Sequence, residues 1–369
     1  MNIWHGMDEI PEHVDSAVVT IGVFDGVHRG HQELISAAVG KSRATGQQSV
    51  LVTFDPHPVS VFLPERAPLA LGTFDQRMSV VDKMGIDNVM VIDFTKEMAG
   101  WSPQEYVDRL LVGKLHANHV IIGENFTFGK NAVGTPDVMR QLCQPYGISV
   151  DLVDLLHDRL HESDVSAQDH TLICSTAIRR FLATGDVVSA RWALGRPFSV
   201  YGPIVRGAGR GGKELGFPTA NQYFPDNLAL PADGVYAGWL VVEGANSPVD
   251  GNIVPGTAYA AAISVGTNPT FGDDERSVES FVLDREADLY GFSATVHFVA
   301  RIRAMEKYDS LDDLLAAISR DVENVREILA RDLASQDAGV SGASGRGSGV
   351  GDHVIVAEEF FLQASPHNG

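Results

Sequence analysis

Two short stretches hold residue types at spacings that suit phosphate chemistry. The first is Phe24-Asp25-Gly26-Val27-His28-Arg29-Gly30-His31, behind the apolar run 16–23 and ahead of a helical pattern over 32–46. A turn from strand to helix leaves free backbone N–H groups at the positive end of a dipole, a natural seat for phosphate. Gly26 and Gly30 let the backbone approach a ligand closely. His28 and His31 are three apart, so they share one face of a first helical turn. Two imidazoles there could stabilise charge on an α-phosphoryl group during in-line displacement. Alone, the string is equally a glycine-rich turn with two surface histidines. A metal pair is disfavoured, because no third His or carboxylate ligand is signalled nearby. The second stretch is Ile173-Cys174-Ser175-Thr176-Ala177-Ile178-Arg179. Ser175 and Thr176 can cap a helix running to about Thr184 and offer hydroxyls to phosphate, and Arg179 one turn later can reach the same anion. Most strings of this form are simply helix starts.

Further along, residues 207–214 read GAGRGGKE. They satisfy G-x-G-x-x-G and nearly satisfy G-x-x-x-x-G-K-[ST], but both signatures need a helix immediately after the loop. Here Gly216 and Pro218 would break one, and Glu214 cannot supply a magnesium-binding hydroxyl. What survives is a loop with Arg210 and Lys213 able to fold over phosphates. In the following 216–221 (GFPTAN), Thr219 and Asn221 alternate as in an extended segment, so both side chains face one way. Two neutral oxygens suit a magnesium ion that takes its other ligands from water and substrate phosphates. The same residues also fit an ordinary proline-containing loop. In 277–284 (SVESFVLD), Val278, Ser280 and Val282 share one parity and Glu279, Phe281 and Leu283 the other. A carboxylate beside apolar side chains gains proton affinity and suits general-base work. An exposed edge-strand glutamate is the other reading.

Elements that could position these residues follow from the hydrophobic pattern. Apolar runs at 16–23, 49–54, 88–94, 119–123 and 148–152 alternate with helical patterns, including 102–113 with Ser102 as N-cap and Pro103 at the first helical position. That alternation argues for a parallel α/β sheet. After about residue 195, short strands at 199–205, 234–242, 258–265, 277–284 and 294–302 are separated by Gly, Pro and Asn, which predicts an antiparallel barrel. A helix follows over 310–333, with Leu311, Leu314, Leu315, Ile318, Val322, Val325 and Leu329 on one face. The expected organisation is a domain at 1–188, a linker at 189–197, a domain at 198–333 and a Gly/Ser-rich flexible tail at 334–369.

Composition bounds the function. The 369 residues, at about 150 per domain, suggest two domains. A net charge of −20 argues against general binding to nucleic acid or anionic membranes. Only Cys143 and Cys174 are present, which excludes a disulfide scaffold or a cysteine-based metal cluster and fits a reducing compartment. The N-terminus does not read as a signal peptide, and no run approaches 18 consecutive apolar residues. A cytoplasmic protein is expected.

Taken together, GVFDGVHRGH and ICSTAIR resemble the flavin adenylyltransferase module of bacterial bifunctional riboflavin kinase/FAD synthetases, as do TFDPHP (53–58) and GENFTFG (123–129). GFPTAN, SVGTNPTFG (264–272), VESFVLD and the DLYG at 288–291 resemble the riboflavin kinase module of the same family. Cys174 stands where the family more often has Ser, and Ala208 where it often has Asp. The resemblance implies an N-terminal Rossmann-like nucleotidyltransferase domain with a parallel sheet. A small antiparallel β-barrel kinase domain with a C-terminal helix would follow it. It implies that Gly22, Phe24, Gly26, His28, Gly30, His31, Ser175, Thr176 and Arg179 bind ATP in the first module, with His28, His31 and Arg179 catalytic. Asp55, Pro56, Pro58, Asn125, Phe126 and Phe128 would meet the flavin. In the second module Gly207, Arg210, Lys213, Thr219 and Asn221 would bind Mg²⁺–ATP, with Thr219 and Asn221 on the metal, and Glu279 would accept the proton of the riboflavin 5′-hydroxyl. Riboflavin, FMN, FAD and ATP are the implied partners, with no nucleic acid or membrane, and a homo-oligomer is allowed. Two other readings stay open: a single active module, and a non-catalytic flavin- or nucleotide-binding regulator.

Overall fold

A parallel strand covered on both faces reads as an unbroken apolar run, and the first half of the chain supplies several. In the computed structural model they form a six-stranded parallel sheet. Its strands are β1 (Asn2–His5), β2 (Ala17–Ile21), β3 (Gln48–Phe54), β4 (Asn88–Ile92), β5 (Ala117–Gly123) and β6 (Ser149–Val153), ordered β1-β4-β3-β2-β5-β6. Every residue of β2 and β4 is buried. Between the strands lie α1 (Arg29–Thr45), α2 (Pro58–Phe62), α3 (Phe74–Lys83), α4 (Pro103–Tyr106) and α5 (Pro136–Cys143). An antiparallel pair of short strands, β7 (His157–Arg159) and β8 (His170–Leu172), follows. The structure describes residues 1–11, 14, 16–159, 170–206, 219–244, 249–268, 273–339 and 354–356.

The strand order has a consequence for function. From β2 the chain steps to β3 on one side, while β5 pairs β2 on the other. Ligands of such sheets bind at that reversal, off the carboxyl ends of the strands. The three sequence motifs of the first half leave β2, β3 and β5 at that end.

Ser102 caps α4 in a full capping box with Glu105, as its position before Pro103 predicts. The helical period to residue 113 continues as a π-turn over Val107–Val112. Gly113 permits it, since its N–H reaches the Asp108 carbonyl, where a Cβ would sit 2.9 Å from that oxygen.

The chain divides into two compact units, Met1–Ala70 with Phe74–Ser175, and Leu71–Thr73 with Thr176–Gly369. In the second, α6 (Ser175–Thr184) and α7 (Val187–Leu194) precede an antiparallel sheet. Residues 189–197, expected as a linker, are largely α7, whose Val187, Ala190, Ala193 and Leu194 are buried and pack towards the sheet. The sheet strands are β9 (Phe198–Pro203), β10 (Thr219–Tyr223), β11 (Gly234–Val242), β13 (Thr257–Asn268), β14 (Asp273–Val282) and β16 (Ser293–Arg303). β12 (Asp250–Gly251) and β15 (Ala287–Asp288) form a separate two-stranded pair. The order β10-β14-β13-β11-β16-β9 curls into a half-barrel. Its end strands are bridged by a side chain: fully buried Gln222 on β10 donates to the carbonyls of Gly202 on β9, at 2.7 Å, and Ala294 on β16, at 2.9 Å.

Helix α8 (Leu311–Gly339) covers one face of the half-barrel through Val322, Val325, Ile328 and Leu329, packed with Trp239, Ala258, Leu283 and Val299. A bidentate Arg303–Asp321 ion pair, 2.7 Å at its shortest, ties β16 to this helix. The helix runs six residues past its expected end at 333. Beyond it, β17 (Val354–Val356) pairs with Thr257–Tyr259 of β13, so part of the expected flexible tail is a strand of the sheet.

Candidate active sites

β2 leaves the sheet at Gly22, and the chain then turns sharply. Phe24, Gly26 and Val27 all hold positive φ, at 54°, 76° and 40°. Gly26 adopts this freely, whereas the two side chains are held there by burial, both being fully enclosed. The turn delivers His28 as the N-cap of α1. His28 Nδ1 accepts the His31 backbone N–H at 3.3 Å, which leaves the ring's proton on Nε2. The two imidazoles stack with centroids 3.6 Å apart, and Phe24 meets His31 edge-on at 5.2 Å. They share a face as the spacing predicts, but they lie against each other rather than standing apart. Gly30 permits this close packing, since a Cβ there would sit 3.3 Å from the His28 ring and 3.5 Å from the Ile173 carbonyl.

Burial drives His31 well below the ordinary histidine range, helped by His28 and by Arg77. His31 Nδ1 is buried with no hydrogen-bond partner among the described residues. A neutral His31 avoids two imidazolium charges in one stack. Ser175 Oγ donates to the Asp25 carbonyl at 2.9 Å, tying the start of the second motif to the turn. Thr176 and Arg179 belong to the second unit.

Arg77, on α3, carries no signal in the sequence beyond being one basic residue in a helix. Its guanidinium nevertheless donates to the Val23 carbonyl at 2.7 Å, immediately before the turn. Thr53 Oγ1 donates to the same oxygen at 3.0 Å.

The loops beside the turn carry the expected flavin contacts. After β3, Asp55 and Pro56 are exposed and Pro58 opens α2. After β5, Asn125 is exposed and Phe126 half-buried. Phe128 is the enclosed member of this set. It is 6% exposed, stacks on Phe126 at 5.8 Å and meets Tyr106 at 5.3 Å inside the apolar core.

In the second unit the site is a matter of register. β10 pairs antiparallel with β14, setting Thr219 opposite Phe281 and Asn221 directly opposite Glu279. β13 flanks β14 on its other side, with Ser264 opposite Glu279. Thr219, Asn221 and Glu279 therefore share one face of the sheet. Asn221 Nδ2 donates to the Thr219 carbonyl at 3.1 Å and lies 3.4 Å from its Oγ1, so the amide oxygen is turned away from Thr219. Ser277 Oγ donates to Glu279 Oε1 at 3.2 Å. Glu279 is half-buried, and Phe281 and Leu283 on its parity belong to the apolar cluster under α8. Val278 and Ser280 on the other parity are fully buried, so the parity reading of this strand holds. Gly207, Arg210 and Lys213 lie outside the described residues.

Comparison with known proteins divides the chain at a similar place. The family model described as FAD synthetase matches residues 10–168, and that described as riboflavin kinase matches 194–329. A bifunctional riboflavin kinase/FMN adenylyltransferase of Pseudomonas fluorescens is 33% identical over 332 residues, which cover 89% of this chain and 98% of the relative. One from Listeria monocytogenes is 31% identical over 316 residues, covering 85% and 93%. A solved structure described as a macrolide-efflux protein from Streptococcus pneumoniae is 28% identical with a TM-score of 0.75, covering 88% of this chain and 99% of its own. Among the described residues, no helix is long and apolar enough to cross a membrane.

Proposed function

The chain belongs to the bifunctional riboflavin kinase/FMN adenylyltransferase family, and we propose that each activity is housed at its own site, one in each compact unit. The enzyme phosphorylates riboflavin to FMN with ATP, then adenylylates FMN with a second ATP to give FAD and pyrophosphate. The observation that carries the assignment is that the two histidines and the kinase residues lie in different units. His28 and His31 lie in the first unit, and Thr219, Asn221 and Glu279 in the second.

In the kinase step, Glu279 takes the proton of the riboflavin 5′-hydroxyl as that oxygen bonds to the γ-phosphorus and the bond to ADP breaks. Its place on the face shared with Asn221 supports this role. Thr219 Oγ1 and, with its amide turned over, the Asn221 oxygen would hold a magnesium ion together with ATP phosphates. Two neutral oxygens fit an ion whose charge is balanced by the nucleotide. The ion supplies charge neutralisation on the phosphates. Arg210 and Lys213 are assigned to the same nucleotide on the loop motif alone.

In the adenylylation step, an FMN phosphate oxygen bonds to the α-phosphorus and pyrophosphate leaves. His28 Nε2–H and the first N–H groups of α1 donate to the phosphoryl oxygens as negative charge builds there. His31, held neutral, orients His28 by stacking. The exposed Asn125, with Asp55, Pro56 and Pro58, frames the flavin side. The roles of Thr176 and Arg179 rest on the sequence motif. We place the enzyme in the cytoplasm, where its two free thiols would persist.

The test is to incubate the protein with riboflavin, ATP and MgCl₂ and separate the flavins by HPLC. FMN should rise and then give way to FAD. FMN alone would overturn the adenylyl-transfer site, and no conversion would overturn both.

A further inference from the structure

The turn that carries His28 and His31 is bent against its own preferences, because Phe24 and Val27 sit at positive φ, a region that side-chain-bearing residues avoid. Clamps hold it. Arg77 and Thr53 converge on the Val23 carbonyl, at 2.7 and 3.0 Å, just where the strain begins. Arg77 reaches there from α3 with its guanidinium 5.3 Å from the centre of the Phe74 ring. Its Nε is buried with no hydrogen-bond partner among the described residues. A half-buried cation with a buried, unused donor is unfavourable unless its charge serves something. The packing of α3 does not call for it, since the buried residues of that helix are Met78 and Val81. The charges that act on Arg77 are Asp25, inside the turn, and Asp55, after β3.

We propose that Arg77 is a positioning residue for adenylyl transfer: it pins the strained turn through the Val23 carbonyl and fixes a positive charge behind the His28–His31 stack. This rests on the assignment of those histidines given above. A fixed cation at that place discourages a second positive charge on His31. The titratable and charged groups that act on His31 are His28, from its own helix, and Arg77, from α3. Burial acts more strongly than either and in the same direction.

The experiment compares full-length wild type, Arg77→Met and Arg77→Lys in three readings. These are FMN to FAD, riboflavin to FMN, and the NMR titration of the His31 ring. Arg77→Met should lower kcat for FAD formation about tenfold or more, with KM for ATP changed by less than about threefold. Riboflavin phosphorylation should stay unchanged, and the His31 midpoint should move up. Arg77→Lys keeps the charge and one donor, so it should recover most of kcat and hold the wild-type midpoint. FAD formation by Arg77→Met within about threefold of wild type would overturn the inference. So would an unmoved His31 midpoint, or an Arg77→Lys no better than Arg77→Met, which would make Arg77 a packing residue. If wild type made FMN but no FAD, the assignment of the site would fall, while the titration would still decide whether Arg77 sets the state of His31.

Discussion

The histidine site hangs on a turn, and the glutamate site is written into a β-ladder. In the first unit, three residues at positive φ carry His28 to the end of a helix, and bonds from Thr53, Arg77 and Ser175 hold the backbone on either side. In the second, Asn221 and Glu279 face each other because continuous pairing of β10 with β14 puts them there. A ladder carries its geometry in many equivalent bonds, so no single neighbour decides it. A turn concentrates its geometry in a few. Residues that never touch substrate should therefore matter more at the first site than at the second.

The largest effect expected is on the ladder side. Glu279→Gln keeps shape and pairing and removes the base, so riboflavin phosphorylation should fall about 10²–10⁴-fold, with FMN adenylylation unchanged. HPLC of the flavins reads both at once. Loss of the two activities together would mean that the sites are not separate. His28→Ala should do the reverse, lowering FAD formation about 10²–10³-fold while FMN still accumulates. It also removes the α1 cap, at a cost of about 1 kcal/mol, so the first unit should melt slightly earlier. An unchanged FAD yield would take His28 out of the site.

Stability should divide along the same line. Asp321 is 8% exposed and Arg303 21%, and their pair joins α8 to β16. Removing one partner of such a pair leaves an uncompensated charge, so Asp321→Ala should destabilise the second unit by about 3 kcal/mol. The ladder beneath should keep its register, and kinase KM should change little. A collapse of kinase activity in folded protein would show that α8, rather than the ladder, holds Glu279 in place.

Acid should act on a half-buried histidine in each unit. Burial, aided by Arg196, pushes His297 down to about 3, and burial likewise lowers His31. Both folded values lie below the unfolded one, so each group's contribution is complete above about pH 6.5 and is lost as pH falls towards the folded value. Each should remove about 1.4 kcal/mol of stability per pH unit in that window. Urea unfolding at pH 7 and pH 5 should show the loss in both units, and His297→Gln should flatten it in the second alone. An unchanged pH slope in that variant would mean that His297 is not the group taking up the proton.

The same contrast decides what was legible in the sequence. Strands announce themselves as apolar runs punctuated by Gly, Pro and Asn, so both sheets were readable, as was the parity that isolates Glu279. β1 escaped because only Trp4 of its four residues is buried. α3 escaped because only Met78 and Val81 mark its inner face. Motif spacing brought His28 and His31 to one face, but not into a stack. The opposition of Asn221 and Glu279 was invisible because register depends on partners remote in the chain. Arg77 was invisible for a plainer reason: one arginine in a helix has no spacing to read. Nor does a motif say which of its aromatics turns inward: Phe128 packs against Tyr106 in the apolar core, while Phe126 is half-buried.

The smallest effect expected is at the far end. Val354–Val356 lies along β13 at Thr257–Tyr259, just past the point where β14 parts from β13 after Ala261 pairs Val282. Asn221 and Glu279 lie further along the ladder, in the stretch where β13 and β14 are continuously paired. Three residues of added strand contribute a few backbone bonds, each worth about 1 kcal/mol net, and the cost of ordering the segment offsets much of that. Truncation after Gly339 should therefore lower the melting temperature of the second unit by only a few degrees, about 1 kcal/mol in stability. Both activities should stay within about twofold of the full chain, because neither residue set depends on that edge. Calorimetry beside the flavin assay would check this. A large loss confined to the kinase step would mean that the end of β13 controls the pairing of β14, and that the ladder has a single point of failure much as the turn does.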